Sequence, residues 1–244
     1  MNNNAIRSLW LAATFALFSS CGIPTTQVLA APEVVSWTVA PPTVTFSHNV
    51  IANSTENFIG YELYYKFYEH TPDPSEGEFG DDLSILGGAV PGSGTSAVTG
   101  QGFRRIWKAG DTVANLPLIS IQLTEPPTDP ATPFDVEIAF PVRVSILFPD
   151  PAEAAFLDRT DEDSIKLVRD PEAAPGASGK AFESQDILTD PPDPDIPAAI
   201  PPTDDRIHMA VVILAYGIDY TGGTFQPIYS DPLMVGQPLE IILQ

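Results

Sequence analysis

Three histidines, one cysteine and several runs of carboxylates are the side chains in this sequence whose types could carry chemistry. His48, His70 and His208 lie too far apart to share the short spacing that holds a metal, and no H-E-x-x-H pair occurs. Asp73, Glu76, Glu78, Asp81 and Asp82 place five carboxylates within ten residues, beside Gly77 and Gly80. A hard cation such as Ca²⁺ takes about six to eight oxygens from a flexible loop, so this composition permits a site. The D-x-D-x-D-G order of a calcium loop is absent, however, and a solvated acidic loop is the plainer reading. Arg104, Arg105 and Lys108, with Phe103 and Trp107 interleaved, form the one basic run. Arg and Trp are typical anchors of binding interfaces, so Arg104, Arg105 and Trp107 are candidates for contact with an acidic partner; the alternative is a strand edge protected by charge. There is no G-x-S-x-G elbow, Walker loop or dinucleotide fingerprint, and the glycines of GSGTSAVTGQG lack the lysine that would hold a phosphate. No catalytic residue, metal ligand or cofactor is assigned. With 32 acidic against 11 basic residues, a net charge of −21, nucleic acid is excluded as a general partner.

The cysteine has a more telling position. Arg7 precedes an apolar run, Leu9 to Phe18 (LWLAATFALF), then Ser19, Ser20 and Cys21. Those ten apolar residues are too few to span a bilayer, which takes about 20, but they suit the core of a secretory signal, here residues 1–20. FSSC resembles a bacterial lipobox, with Phe18 where leucine is usual. That resemblance implies cleavage before Cys21 and acylation of its thiol. The alternative is ordinary cleavage after Ala30, where Val28 and Ala30 make a small-x-small site. With the first reading, residues 21–32 are a lipidated cysteine and an uncharged tether, reaching at most ~35 Å. Loss of Arg7 makes the mature charge −22, from 10 basic and 32 acidic residues, so anionic headgroups repel the body.

The body, residues 33–244, reads as one β-rich domain. The chain's 26 prolines disfavour long helices. In EVVSWTV, Val35, Trp37 and Val39 share a face; TVTFS follows after Pro41-Pro42. FIGYELYYKFYE alternates with period two: Ile59, Tyr61, Leu63, Tyr65 and Phe67 on one face, Glu62, Tyr64, Lys66 and Tyr68 on the other. If exposed, Tyr64 and Tyr68 would offer a partner an aromatic anchor. FDVEIAFPVRVSILF, 134–148, alternates throughout, with Pro141 marking an edge, bulge or bend. RIHMAVVILAYGID, 206–219, is apolar on both parities and suits a strand covered on both faces, or a short buried helix. PLISIQL, DPLMVG and LEIILQ are shorter strand candidates, and a turn or two of helix is expected within 150–163. Segments 70–82, 87–102, 125–133 and 170–205 read as loops. The last, rich in Pro and Asp, reads as a mobile excursion.

GYELYY at 60–65 resembles the strand-C motif of fibronectin type III domains, and Met209, Val211, Ile213 and Ala215 resemble the strand-F pattern that leads into the last hairpin. SDPLMV at 230–235 is similar to a strand-G ending. The strand-B Trp place is nearest Phe46 and the strand-F Tyr place is Met209, so the usual tyrosine corner does not form. The resemblance covers 33–69 and 206–236 and implies an immunoglobulin-like antiparallel sandwich with a large strand-containing insertion. The chain also resembles spirochaete-type lipoproteins, a likeness that carries no known activity. The expectation is an all-β lipoprotein of the bacterial envelope, attached to the membrane by lipid and acting as a binding or structural module with a protein partner. The alternative is a secreted or envelope enzyme, with a Ca²⁺-stabilised acidic loop.

Overall fold

In the computed structural model the described residues are 29–38, 42–49, 53, 57–68, 75–108, 117–120, 122–123, 135–140, 143–147, 157–158, 167–169, 180–182, 195–196, 206–220 and 225–242. Cys21, the signal segment and most of the tether lie outside them, as does most of 170–205.

The strands form an antiparallel β-sandwich. One sheet has four strands, in the order β1 (Glu33–Thr38), β2 (Thr43–Ser47), β7 (Asp135–Ala139) and β8 (Arg143–Leu147). The second is built on β3 (Phe58–Tyr68) and β12 (Arg206–Asp219), which pair antiparallel from His208–Tyr68 to Gly217–Phe58. β3 also pairs β4 (Arg104–Lys108) and β5 (Ile119–Ser120). Beyond β4 lie β10 (Leu167–Arg169) and β11 (Lys180–Ala181). β12 also pairs β13 (Gln226–Tyr229), β14 (Leu233–Met234) and β15 (Leu239–Ile242). A small ribbon joins β6 (Gln122–Leu123) to β9 (Leu157–Asp158). β7 and β8 lie outside the two segments, 33–69 and 206–236, that carry the fibronectin type III resemblance.

The period-two pattern explains the core between the sheets. Tyr61, Leu63, Tyr65 and Phe67 of β3 and Met209, Val211, Ile213 and Ala215 of β12 face Val44, Phe46, Val136 and Ile138, and all are buried. Phe46 meets Tyr61 across the sheets with ring centroids 4.9 Å apart, an edge-on geometry that aromatic quadrupoles favour. The opposite parity of β12, Ala210, Val212 and Leu214, is buried too, under two helices, α1 (Gly77–Gly87) and α2 (Gly94–Gly100). The uninterrupted apolar run of β12 is therefore that of a strand covered on both faces.

Several expectations are corrected. The segment read as a loop at 70–82 runs into α1, which continues to Gly87, and the one at 87–102 contains α2; glycines and serines masked Phe79, Asp82 and Leu86, whose spacing of three and four puts them on one buried helical stripe. Of the span 150–163, where a turn or two of helix is expected, only Leu157–Asp158 is described, and it is strand, held by pairing with β6. The alternation over 134–148 is a hairpin of β7 and β8, and Pro141, where an edge, bulge or bend is expected, falls in sequence between its arms. Its register pairs Val136 with Ile146 and Ile138 with Val144, so parity is kept across the turn. In β1 a bulge between Val34 and Ser36 breaks the parity that would put Val35 and Trp37 on one face: Val34 and Trp37 stand opposite Phe46 and Val44, Val34 packs on the core, and Val35 and Trp37 both stay exposed. The part of the Pro-rich excursion that is described is fixed: β11 pairs β10, and Phe182, Asp195 and Ile196 are buried. The tether also ends early, since Leu29 is 5% exposed and bridges Ser230.

Candidate functional site

The outer face of the second sheet carries four of the residues singled out from sequence. Antiparallel register sets Tyr64 opposite Arg105 and Tyr65 opposite Arg104. Tyr64 and Arg105 therefore share the outer face, while Arg104 points the other way. Two residues along, Glu62 and Trp107 join the same face. The Arg105 guanidinium carbon lies 4.5 Å from the Trp107 ring centroid, and its Nη2 is 3.2 Å from Glu62 Oε1. The Tyr64 hydroxyl donates to Glu62 Oε2 at 2.7 Å. Burial pushes the Glu62 carboxyl above its ordinary range, opposed by Arg105 and by the Tyr64 hydrogen bond. Tyr64, Tyr216 and Tyr229 are all raised, first by burial and then by the Glu62 charge, so each phenol keeps its proton.

At the other end of the same face Lys66 Nζ lies 2.6 Å from Asp82 Oδ2 and 2.8 Å from Glu78 Oε1. The Tyr68 hydroxyl donates to the same Asp82 oxygen at 2.8 Å. Burial works against the Lys66 charge, but the two carboxylates outweigh it and hold its ammonium above the usual range. Two of the five clustered carboxylates thus bind a lysine. Glu76 and Asp81 are exposed, and Asp73 lies outside the described residues. Among the described residues no three His, Cys, Asp or Glu side chains converge as a metal site would need.

The expected aromatic anchor is therefore corrected. Tyr64 and Tyr68 are each 4% exposed, because α1 and α2 cover the face that solvent was expected to occupy. The basic run is also divided, since adjacent residues of a strand point to opposite faces: Arg105 joins Trp107 on the outer face and Arg104 faces the Tyr65 side.

Two polar clusters inside the sandwich went unread in the sequence. His48 Nδ1 and the Tyr61 hydroxyl are 2.5 Å apart, with the His48 ring 4.8 Å from that of Phe58. Burial lowers the His48 pKa to about 4. The second cluster joins three elements: Arg169 Nη1 lies 3.0 Å from both oxygens of Asp195, and the Tyr65 hydroxyl donates to Asp195 Oδ2 at 2.6 Å. Arg169 is fully buried. The signal that could have found it is the apolar run Ile165–Val168 (with Lys166) leading straight into Arg169, a pattern that buries the arginine unless the strand ends first. Nothing local could have named its partner, 26 residues away. No protein-family model, curated protein or solved structure matches this chain.

Proposed function

We propose that this chain is an exported lipoprotein of the bacterial envelope, held to a membrane by acylated Cys21, whose sandwich works as a binding or structural module. One observation carries the choice between the two cleavage readings. Leu29 is packed into the main core, and Ala30 exchanges two hydrogen bonds with Asn53: its N–H donates to Oδ1 and its carbonyl accepts from Nδ2, each at 2.9 Å. Asn53 is fully buried. Cleavage after Ala30 would remove a leucine whose burial contributes about 1.5–3 kcal/mol, and would strand a buried amide at a cost of about 1–3 kcal/mol. Cleavage before Cys21 keeps both.

The use of buried charge supports a scaffold. Glu62, Asp82, Arg169 and Asp195 each hold an ion pair within the fold. The enzyme reading would be favoured by a histidine set against an Asp and a Ser, whereas His48 meets the Tyr61 hydroxyl inside the core. The test is fatty-acid labelling of wild type against Cys21→Ala, with the mature terminus read by mass spectrometry. Labelled wild type and unlabelled variant are expected; unlabelled wild type beginning near Ala31 overturns the proposal. Crosslinking in intact cells followed by purification would then identify the partner.

A further inference from the structure

The end of the second sheet where β12 turns into β13 carries the most exposed aromatic pair among the described residues. Tyr220 is 48% and Phe225 78% exposed, and their rings stack edge-on at 5.5 Å. Residues 220–230, YTGGTFQPIYS, contain no charge, in a chain whose net charge is −21. An uncharged aromatic tip is a part of so acidic a body that an anionic headgroup does not repel.

The direction of the chain at Leu29 says what this tip faces. The Leu29–Ser230 bridge is parallel, and Ser230 follows β13, which comes from the tip. The chain therefore enters Leu29 from the same side as Tyr220 and Phe225. Leu29 Cδ1 also lies 3.2 Å from where a Cβ on Gly217 would sit, two residues before Asp219 closes β12. The five steps of strand from Phe225 to Ser230 cover ~17 Å. The eight steps from Cys21 to Leu29 reach ~28 Å when extended. A lipid on Cys21 can thus stay in the bilayer while the tip touches its surface. Aromatic rings with one apolar side and a polar edge are favoured at that depth.

We infer that Tyr220 and Phe225 form a membrane-docking tip, which rests in the interfacial layer of the bilayer that holds the Cys21 lipid and sets the orientation of the sandwich on it. The inference rests on the lipoprotein reading above. With the tip docked, β12 and β3 stand away from the membrane and the opposite end of the sheet, at His208 and Tyr68, faces outward.

The test uses the full lipidated chain in phosphatidylcholine vesicles. Flotation reads anchoring. Docking is read by quenching of Phe225→Trp emission by brominated acyl chains, with wild type, whose Trp37 and Trp107 lie on β1 and β4, as the baseline. Burial of the tip about 5–10 Å into the headgroup boundary predicts quenching of the added emission by roughly twofold or more. Protein that floats with no added quenching overturns the docking and leaves the anchor standing. Emission that is blue-shifted yet unquenched by bromolipid puts the tip against protein, a second copy or a partner, and also overturns it. Protein that does not float refutes the anchor and, with it, the docking.

Discussion

Replacing Asp195 by Asn tests whether the Pro- and Asp-rich segment is bound into the fold. The change keeps the size of the side chain and an acceptor for the Tyr65 hydroxyl, but removes the charge that faces Arg169. Arg169 is fully buried and Asp195 nearly so, with side-chain exposures of 0% and 1%, so water cannot compensate. Breaking such a pair from one side costs about 3–5 kcal/mol. For a domain of this size each kcal/mol shifts the melting temperature by about 2–4 °C, which gives a fall on the order of 10 °C in a circular-dichroism melt. Urea unfolding should report the same loss with an unchanged slope. The reasoning also predicts recovery. In Tyr65→Phe/Arg169→Met/Asp195→Leu none of these three polar side chains is left facing a missing partner among them, and a packed apolar replacement of a buried pair is often neutral or better. The triple variant should therefore exceed Asp195→Asn in stability, against the sum of its parts. A loss below about 1 kcal/mol for Asp195→Asn would refute the burial argument, since that is the size expected of an exposed pair.

Stability should also depend on His48 and on two glycines. His48 has a folded pKa of about 4 against an ordinary 6.5; the unfolded chain takes up its proton first as pH falls. Its contribution is thus complete above pH 6.5 and lost between there and pH 4, up to about 3 kcal/mol in all. Glu62, held high by burial, adds a slope of the opposite sign, so the measurement is the difference in urea stability between wild type and His48→Gln at pH 7.5 and pH 5. Equal differences at the two pH values would contradict the burial of His48. A Cβ on Gly217 would lie 2.1 Å from the Asn57 carbonyl oxygen, which accepts from the Ile218 N–H. Gly217→Ala should cost about 1–3 kcal/mol by overpacking. Gly87, at the end of α1, has open space around it, so Gly87→Ala should be neutral or stabilising by about 0.4–1 kcal/mol. Thermal melts of the two variants check the contrast, and matching losses would remove it.

The alternation of Tyr61, Leu63, Tyr65 and Phe67 and the two-sided apolar run of β12 were legible from residue types alone, because a strand's period of two is a local property. That was enough to specify an all-β protein with β3 and β12 at its centre. The sequence also determined the placement of Cys21 behind its apolar run, and a net charge of −21. What covered each face was not local. Tyr64 and Tyr68 looked like an open surface because the helices above them lie in glycine-rich segments with few buried residues, Phe79, Asp82 and Leu86 in α1 and Gly94 and Val98 in α2, and such short helices owe their stability to the sheet they pack on. Arg104 and Arg105 looked like one patch until the pleat sent them to opposite faces. Asp195 looked like one more solvated acid until Arg169 and Tyr65 met it in the core. The parallel bridge from Leu29 to Ser230, which points the amino terminus and the aromatic tip the same way, spans 201 residues. Contacts at such separation are set by how the sheets close on each other, so only the tertiary structure could decide them.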